Sequence, residues 1–236
     1  MLARMQPHPG AAVAIVLAAG AGRRLGAEEP KAFLLIGGRP ILAVATGAAA
    51  ASPAVSSVVV TAPAGWEDRA RECVEGCGLP VVVVTGGSTR LASVLAALEV
   101  LPPETQVVAI HDAARPFAPP DLFTAVIEAV SEQTPGVVPI APVTDTVKHI
   151  VDGRVVRTLD REHLGLAQTP QAFDVGVLRA AHGHVGAPGV ALTDDAAALE
   201  HDGVAVAAIA GDPSNVKITT LFDLASADAR MGGSDG

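Results

Sequence analysis

The chain has 236 residues, half of them apolar, with 17% charged residues, 3% aromatic residues and a formal net charge of -9. That hydrophobicity excludes a disordered chain, and two cysteines exclude a disulfide scaffold; the acidic balance, with a pI near 5.1, excludes a surface that coats nucleic acid. No uninterrupted apolar run reaches the ~20 residues that span a bilayer, so no membrane partner is expected and the cytoplasm is the default location.

Residues 1–11 read as a loose leader, without the apolar stretch and cleavage site of a signal peptide. The run Val13–Leu17 reads as a first strand and leads into Ala18-Ala19-Gly20-Ala21-Gly22-Arg23-Arg24-Leu25-Gly26, followed by Pro30-Lys31. Glycines there let backbone N–H groups approach phosphates. The spacing lacks the third glycine of a dinucleotide fingerprint, and no Gly-Lys-Ser/Thr follows as in a Walker loop. Arg23, Arg24 and Lys31 supply more positive charge than one pyrophosphate on a helix dipole needs. The loop therefore favours a triphosphate, the alternative being basic side chains that are merely solvated. Only three of the sixteen basic residues are lysines, Lys31, Lys148 and Lys217, and in so arginine-rich a chain a lysine points to a place that suits a compact, flexible charge.

A helix is expected at about 40–51, a strand at Val58–Thr61, and a helix at 66–76 whose Cys73 and Cys77 read as small half-buried apolar residues. The strand Val81–Thr85 is followed by Gly86-Gly87-Ser88-Thr89-Arg90-Leu91-Ala92-Ser93-Val94, which opens a helix at 89–101 stopped by Pro102-Pro103. The strand Val107–His111 ends on Asp112, a place that suits either a Mg²⁺ ligand or a cap on the next turn. His111 reads as packing in preference to a general base. Further helices are expected at 120–132, 174–185 and 194–202, and strands at Val137–Ile140 and Val204–Ile209; Asp194 and Asp195 read as caps of the last helix. Between them, Asp152-Gly153 separates two β-prone runs, a hairpin signal. It reads as an inserted arm, with a sheet-edge hairpin as the alternative, and an arm that leaves its domain needs a partner to cover it, so a homodimer is expected there.

Near-continuous β-rich runs alternating with helices give an α/β, Rossmann-like, mostly parallel sheet with helices on both faces and an inserted β-hairpin arm. Ligands of such sheets bind at the carboxyl ends of the strands. One domain is expected over 12–230, with the arm at about 142–168 and a frayed tail at 231–236.

The segment Leu17–Gly26 with Pro30-Lys31 resembles the signature of nucleotidyltransferases that join a sugar or polyol phosphate to a nucleoside triphosphate. Adding the segments at 86–94 and 111–116, Pro142-Val143-Thr144-Asp145-Thr146-Val147-Lys148, Gln168-Thr169-Pro170-Gln171, Leu192-Thr193-Asp194-Asp195 and Asn215-Val216-Lys217-Ile218-Thr219, the chain resembles the 2-C-methyl-D-erythritol 4-phosphate cytidylyltransferases across about 12–228. The resemblance implies CTP and a polyol phosphate as substrates, Mg²⁺ or another divalent cation, and a homodimer through the β-arm. It assigns Ala18, Ala19, Gly20, Gly22, Arg24, Lys31, Gly86, Gly87 and Ser93 to CTP, with backbone carbonyls near Ala18 or Gly87 reading the cytosine amino group. Arg24, Lys31 and Lys217 become the catalytic cations, and Asp112 the metal ligand. Asp112, Arg115, Thr146, Arg161, Thr169, Thr193 and Lys217 face the second substrate, with Arg161 reaching the partner subunit's site. Ser88 and Ala92 stand where relatives often carry an acidic residue. A ribitol-5-phosphate cytidylyltransferase is the nearest rival and a non-catalytic nucleotide-binding module a remote one. A nicotinamide-dependent oxidoreductase is disfavoured by the imperfect fingerprint and a chain without tyrosine.

Overall fold

The computed structural model describes residues 12–20, 29–184 and 193–232. In chain order the elements are β1 (Ala12–Leu17), β2 (Leu35–Ile36), β3 (Arg39–Pro40), α1 (Ile41–Ala50), β4 (Val55–Ala62), α2 (Glu67–Val74), β5 (Val81–Thr85), α3 (Arg90–Leu98), β6 (Val107–Asp112) and α4 (Pro120–Glu128). They continue with β7 (Gly136–Pro142), β8 (Lys148–Val151), β9 (Arg154–Thr158), β10 (Gly165–Ala167), β11 (Gln171–Asp174), α5 (Val175–His184), α6 (Ala196–His201), β12 (Val206–Ala210) and α7 (Leu221–Gly232).

Strands β6, β1, β4 and β5 pair in parallel, and β12 joins β7 in parallel. Between these halves lies a segment running the other way. β11 pairs antiparallel with both β6 and the start of β7, while β10 pairs antiparallel with the end of β7. Ile140 faces Ala167 and Ala210, and Val137 faces Ala172 and Ala207, so β10 and β11 occupy successive halves of one edge of β7 with β12 on the other. Sequence expected the parallel strands and missed β10 and β11, which are short and flank the interruption at Gln168–Pro170.

The continuous apolar strands are explained by burial on both faces. Along β1, Ala12, Ala14 and Val16 pack with Phe33, Leu42 and Ala45 on the side of α1, α2 and α4, whereas Val13 and Ile15 pack with Val94, Leu98, Leu178 and Leu199 on the side of α3, α5 and α6. A third cluster, Ile36, Ile41, Ile218 and Ala227, lies under α7, a helix outside the expected set. α7 extends through Gly232, which makes the first two residues of the expected tail helical, while 1–11 and 233–236 lie outside the described residues. Among the described residues no helix is long and apolar enough to cross a membrane.

The hairpin takes the arm form. β8 and β9 make a separate two-stranded sheet turned by Asp152 (φ 48°) and Gly153 (φ 75°), the pair of positive φ values that a tight two-residue hairpin turn requires. Every residue of β8 and β9 is exposed, including Ile150 at 59% and Val155 at 62%.

Candidate active site

At the carboxyl ends of β1, β5 and β6 the chain opens a cleft of about 790 Å³. Residues 17–20 line one wall, 87–90 with Ser93 a second, Asp112–Ala114 the floor, and Lys31, Lys217 and Thr219 the rim. That volume lies within the range of small-molecule sites, and the location is the one parallel sheets use.

The wall after β5 is tied down by its own hydroxyls. Ser93 Oγ accepts from Gly87 N at 3.1 Å and donates to the Thr89 carbonyl at 3.0 Å, and Thr89 Oγ1 accepts from Ala92 N at 3.0 Å as the cap of α3. Gly86 is needed for close approach: a Cβ there would stand 2.3 Å from the Ala19 Cβ, locking this wall against the first loop. The N–H groups of Ala18, Gly86 and Gly87 are taken by Thr61 O, Ala62 O and Ser93 Oγ. Gly20 stands at the cleft with open space where a side chain would be.

Asp112 ends β6 with its side chain 16% exposed and its two oxygens divided between two cations. Lys217 Nζ lies 2.5 Å from Oδ2, and Arg90 Nε lies 3.6 Å from Oδ1. Burial would raise the carboxyl's pKa, but the charges of Lys217 and Arg90 outweigh it and hold the pKa at about 2. Arg90 also donates through Nη1 to Asp195 Oδ2, a carboxylate 1% exposed. Asp195 is therefore a buried ion partner, and it is Asp194 that caps α6, with Oδ1 accepting from Ala197 N at 3.0 Å.

Behind Asp112 the side chains form a chain of hydrogen bonds. Thr169 Oγ1 accepts from Asp112 N at 3.0 Å and lies 3.1 Å from His111 Nδ1, while His111 Nε2 lies 3.0 Å from the Arg115 carbonyl. A carbonyl only accepts, so Nε2 carries the hydrogen and Nδ1 accepts from the threonine hydroxyl. Burial, the largest influence on the ring, lowers the His111 pKa to about 4. The ring is thus a neutral structural link, as expected. Thr169, 5% exposed, positions the Asp112 backbone from behind.

Lys217 is carried on a strap, residues 211–220, fixed largely through its backbone. Lys31 Nζ donates to Ile218 O at 2.9 Å, Arg115 Nη1 to Asn215 O at 2.8 Å, and Ile218 N to Ala114 O at 2.8 Å. Arg115 Nη2 also donates to Ala167 O at 3.1 Å, so Arg115 joins the strap to β10. The buried Asn215 Nδ2 donates to Gln168 Oε1 at 3.1 Å and Thr169 O at 2.8 Å, and Gln168 also holds Asp212 through its N and O.

The cleft thus brings together Ala18, Ala19, Gly20, Lys31, Gly87, Ser93, Asp112 and Lys217, with Gly86, Arg115 and Thr169 just behind its lining. Thr146 and Arg161 lie exposed on the arm, where Arg161 Nη1 donates to the Thr144 carbonyl, and Thr193 is exposed before α6; none of the three lines the cleft. Gly22 and Arg24 lie outside the described residues. Sequence reasoning left Arg90, Thr219 and the Gln168–Asn215 clamp without a role. Arg90 stood inside a quoted motif, but its partner Asp195 is 105 residues away.

Comparison with known proteins decides among enzyme classes. The sequence profile of the 2-C-methyl-D-erythritol 4-phosphate cytidylyltransferase family matches residues 12–233. The chain belongs to that family. It is therefore a nucleotidyltransferase. It is 43% identical to the protein of that name from Streptomyces coelicolor, over 94% of this chain and 85% of the other, and 43% identical to that from Saccharopolyspora erythraea, over 92% and 97%. Among solved structures, a 4-diphosphocytidyl-2C-methyl-D-erythritol synthase from Anaerococcus prevotii is similar with a TM-score of 0.82 and 30% identity, covering 93% of this chain and 97% of that one. The corresponding cytidylyltransferase from Thermus thermophilus gives a TM-score of 0.76 at 34% identity, covering 93% and 98%.

Proposed function

We propose that the protein transfers the cytidylyl group of CTP to 2-C-methyl-D-erythritol 4-phosphate, giving 4-diphosphocytidyl-2-C-methyl-D-erythritol and pyrophosphate. The observation that carries the reading is the convergence of Lys31, Lys217 and Asp112 on one cleft at the carboxyl ends of the parallel strands. The acceptor's phosphate oxygen attacks the α-phosphorus of CTP as the bond to the pyrophosphate oxygen breaks. Both reactants are anions, so the barrier is repulsion plus charge growing on a crowded phosphorus.

Lys31, on the side of the first glycine loop, stabilises that growing charge together with Arg24. Lys217 draws the acceptor phosphate into line. The carbonyls near Gly87 accept from the cytosine amino group, where uracil would present another acceptor. Arg115 and Thr169 hold the strap and the Asp112 backbone in place. Thr146, Thr193 and Arg161 complete the acceptor site, Arg161 from the arm of a second copy, which makes the protein a homodimer in which the apolar faces of β8 and β9 are covered.

Asp112 fits a divalent cation of the Mg²⁺ type. Among the described residues no group of three or more His, Cys, Asp or Glu is placed to hold a metal, and Mg²⁺ ordinarily binds through one or two carboxylates with substrate phosphates supplying the rest. When bound there with the nucleotide, the ion would supply charge neutralisation at the phosphates.

Pyrophosphate release from CTP in the presence of Mg²⁺, with 2-C-methyl-D-erythritol 4-phosphate or ribitol 5-phosphate as acceptor, tests the reading. Release with the first acceptor is expected. Release with ribitol 5-phosphate alone overturns the specificity, and release with neither overturns the activity.

A further inference from the structure

From the floor and wall of the cleft a line of charge runs inward that binding two phosphorylated substrates does not by itself require. Arg90 opens α3 at a start fixed by the Thr89 cap, and its guanidinium spans two carboxylates from distant parts of the chain. Nη1 donates to Asp195 Oδ2 ahead of α6, and Nε faces Asp112 Oδ1 at 3.6 Å. Asp195 is 1% exposed, and its other oxygen lies 3.2 Å from Nε2 of His182 on α5, a side chain equally buried. Burying a carboxylate this deeply is costly unless it is paired, and Arg90 is the permanently charged partner beside it.

The two cations at Asp112 therefore differ in freedom. Lys217 is 42% exposed on a flexible stem and can turn toward a phosphate; Arg90 is 29% exposed and cannot turn away without stranding Asp195. Arg90 Nε also stands at ion-pair distance from Asp112 but beyond hydrogen-bond distance, so it leaves the lone pairs of that oxygen open.

We propose that Arg90, anchored from behind by Asp195, is a positioning residue for the transfer: it holds the Asp112 carboxylate in one orientation when Lys217 leaves it for the acceptor phosphate. The inference rests on the functional reading above. It requires a planar fork that serves two carboxylates at once, which a lysine at the same place lacks.

The test uses the full-length protein with the substitutions Arg90→Gln and Asp195→Asn combined, because removing Arg90 alone strands a buried charge. The double variant leaves the interior neutral and is expected to unfold at a temperature close to that of the parent. Its affinity for CTP without divalent ion, measured by calorimetry, is expected to stay within about threefold. The gain in CTP affinity on adding Mg²⁺ is expected to shrink, and kcat to fall, by roughly 10–100-fold, the usual effect of removing a group that orients a metal-facing ligand. Arg90→Lys, which keeps the charge and loses the fork, is expected to fold and to show the same two losses. A double variant whose kcat and Mg²⁺-dependent gain both stay within about threefold of the parent overturns the inference. A parent protein that transfers no cytidylyl group overturns the functional reading instead, and the calorimetric comparison still decides the role of Arg90.

Discussion

Acidification sets His111 against the folded state. The ring is fully enclosed, with Nε2 donating to the Arg115 carbonyl and Nδ1 accepting from Thr169, and burial lowers its pKa from 6.5 to about 4 despite the opposing charge of Asp112. In the unfolded chain the imidazole takes up its proton near 6.5 and in the folded protein only near 4. Throughout that window the unfolded state binds more protons, so the stabilisation from neutral His111 is complete above the upper value and is lost as the pH falls to the lower one. The displacement corresponds to roughly 3 kcal/mol. Urea unfolding followed by circular dichroism across that range, for the parent and for His111→Gln, measures it. The variant starts about 1–3 kcal/mol less stable at neutral pH, having lost part of the hydrogen-bonded link. The parent is expected to lose about 3 kcal/mol more than the variant on acidification, with a slope steeper by up to ~1.4 kcal/mol per pH unit. Parallel pH profiles for the two proteins would refute the argument that this ring is neutral and enclosed.

Lys31→Ala is expected to lower kcat by about 10²–10³ while CTP affinity changes less than about tenfold, since its contact strengthens as charge develops; an effect confined to apparent CTP affinity sinks that assignment. Asn215→Ala removes two donations from a fully buried amide and leaves the Thr169 carbonyl without that donor, which costs about 2–3 kcal/mol in chemical unfolding and raises KM for the acceptor, because Lys217 rides on the same strap. Stability and KM both unchanged would show that the clamp is idle. Gly86→Ala forces its new methyl to within 2.3 Å of the Ala19 Cβ, so calorimetry should show weakened CTP binding alongside about 1–3 kcal/mol of lost stability. Ile150→Asp with Val155→Asp on the arm should convert a sedimenting dimer to monomers, and a parent protein that already sediments as a monomer contradicts the proposed assembly.

The parallel half of the fold was legible because β1, β4 and β6 are buried on both faces and therefore spell continuous apolar runs, a pattern that β5 shares although it is the edge strand and Val82 is 47% exposed. Gln171–Asp174 escaped notice for the opposite reason: four residues, one of them a buried Gln whose Nε2 donates to Asp194, carry no periodic signal, and their direction is set by neighbours β6 and β7. α7 was hidden because its large apolar residues at the start point outward, Leu221 at 64% and Phe222 at 80% exposed, while the buried position is Ala227. At the site, Lys31, Asp112 and Lys217, residues whose chemistry is declared by type and local pattern, line the cleft. Arg90, Gln168 and Asn215 act on groups dozens of positions away, and Asp195 looked like a helix cap until the fold brought Arg90 and His182 to it.

The strap that presents Lys217 is fastened mainly by main-chain atoms: the carbonyls of Ser214, Asn215 and Ile218 receive Arg230, Arg115 and Lys31, and the Ile218 amide reaches Ala114. Main-chain atoms survive every substitution short of proline at the amide. Mutational drift at Ser214 or at the half-exposed Val216 therefore leaves the path of the strap intact, and with it the place of Lys217 and Thr219 at the cleft. The fastening and the display are separable, so side chains along the strap can be exchanged with no rebuilding of the sheet beneath.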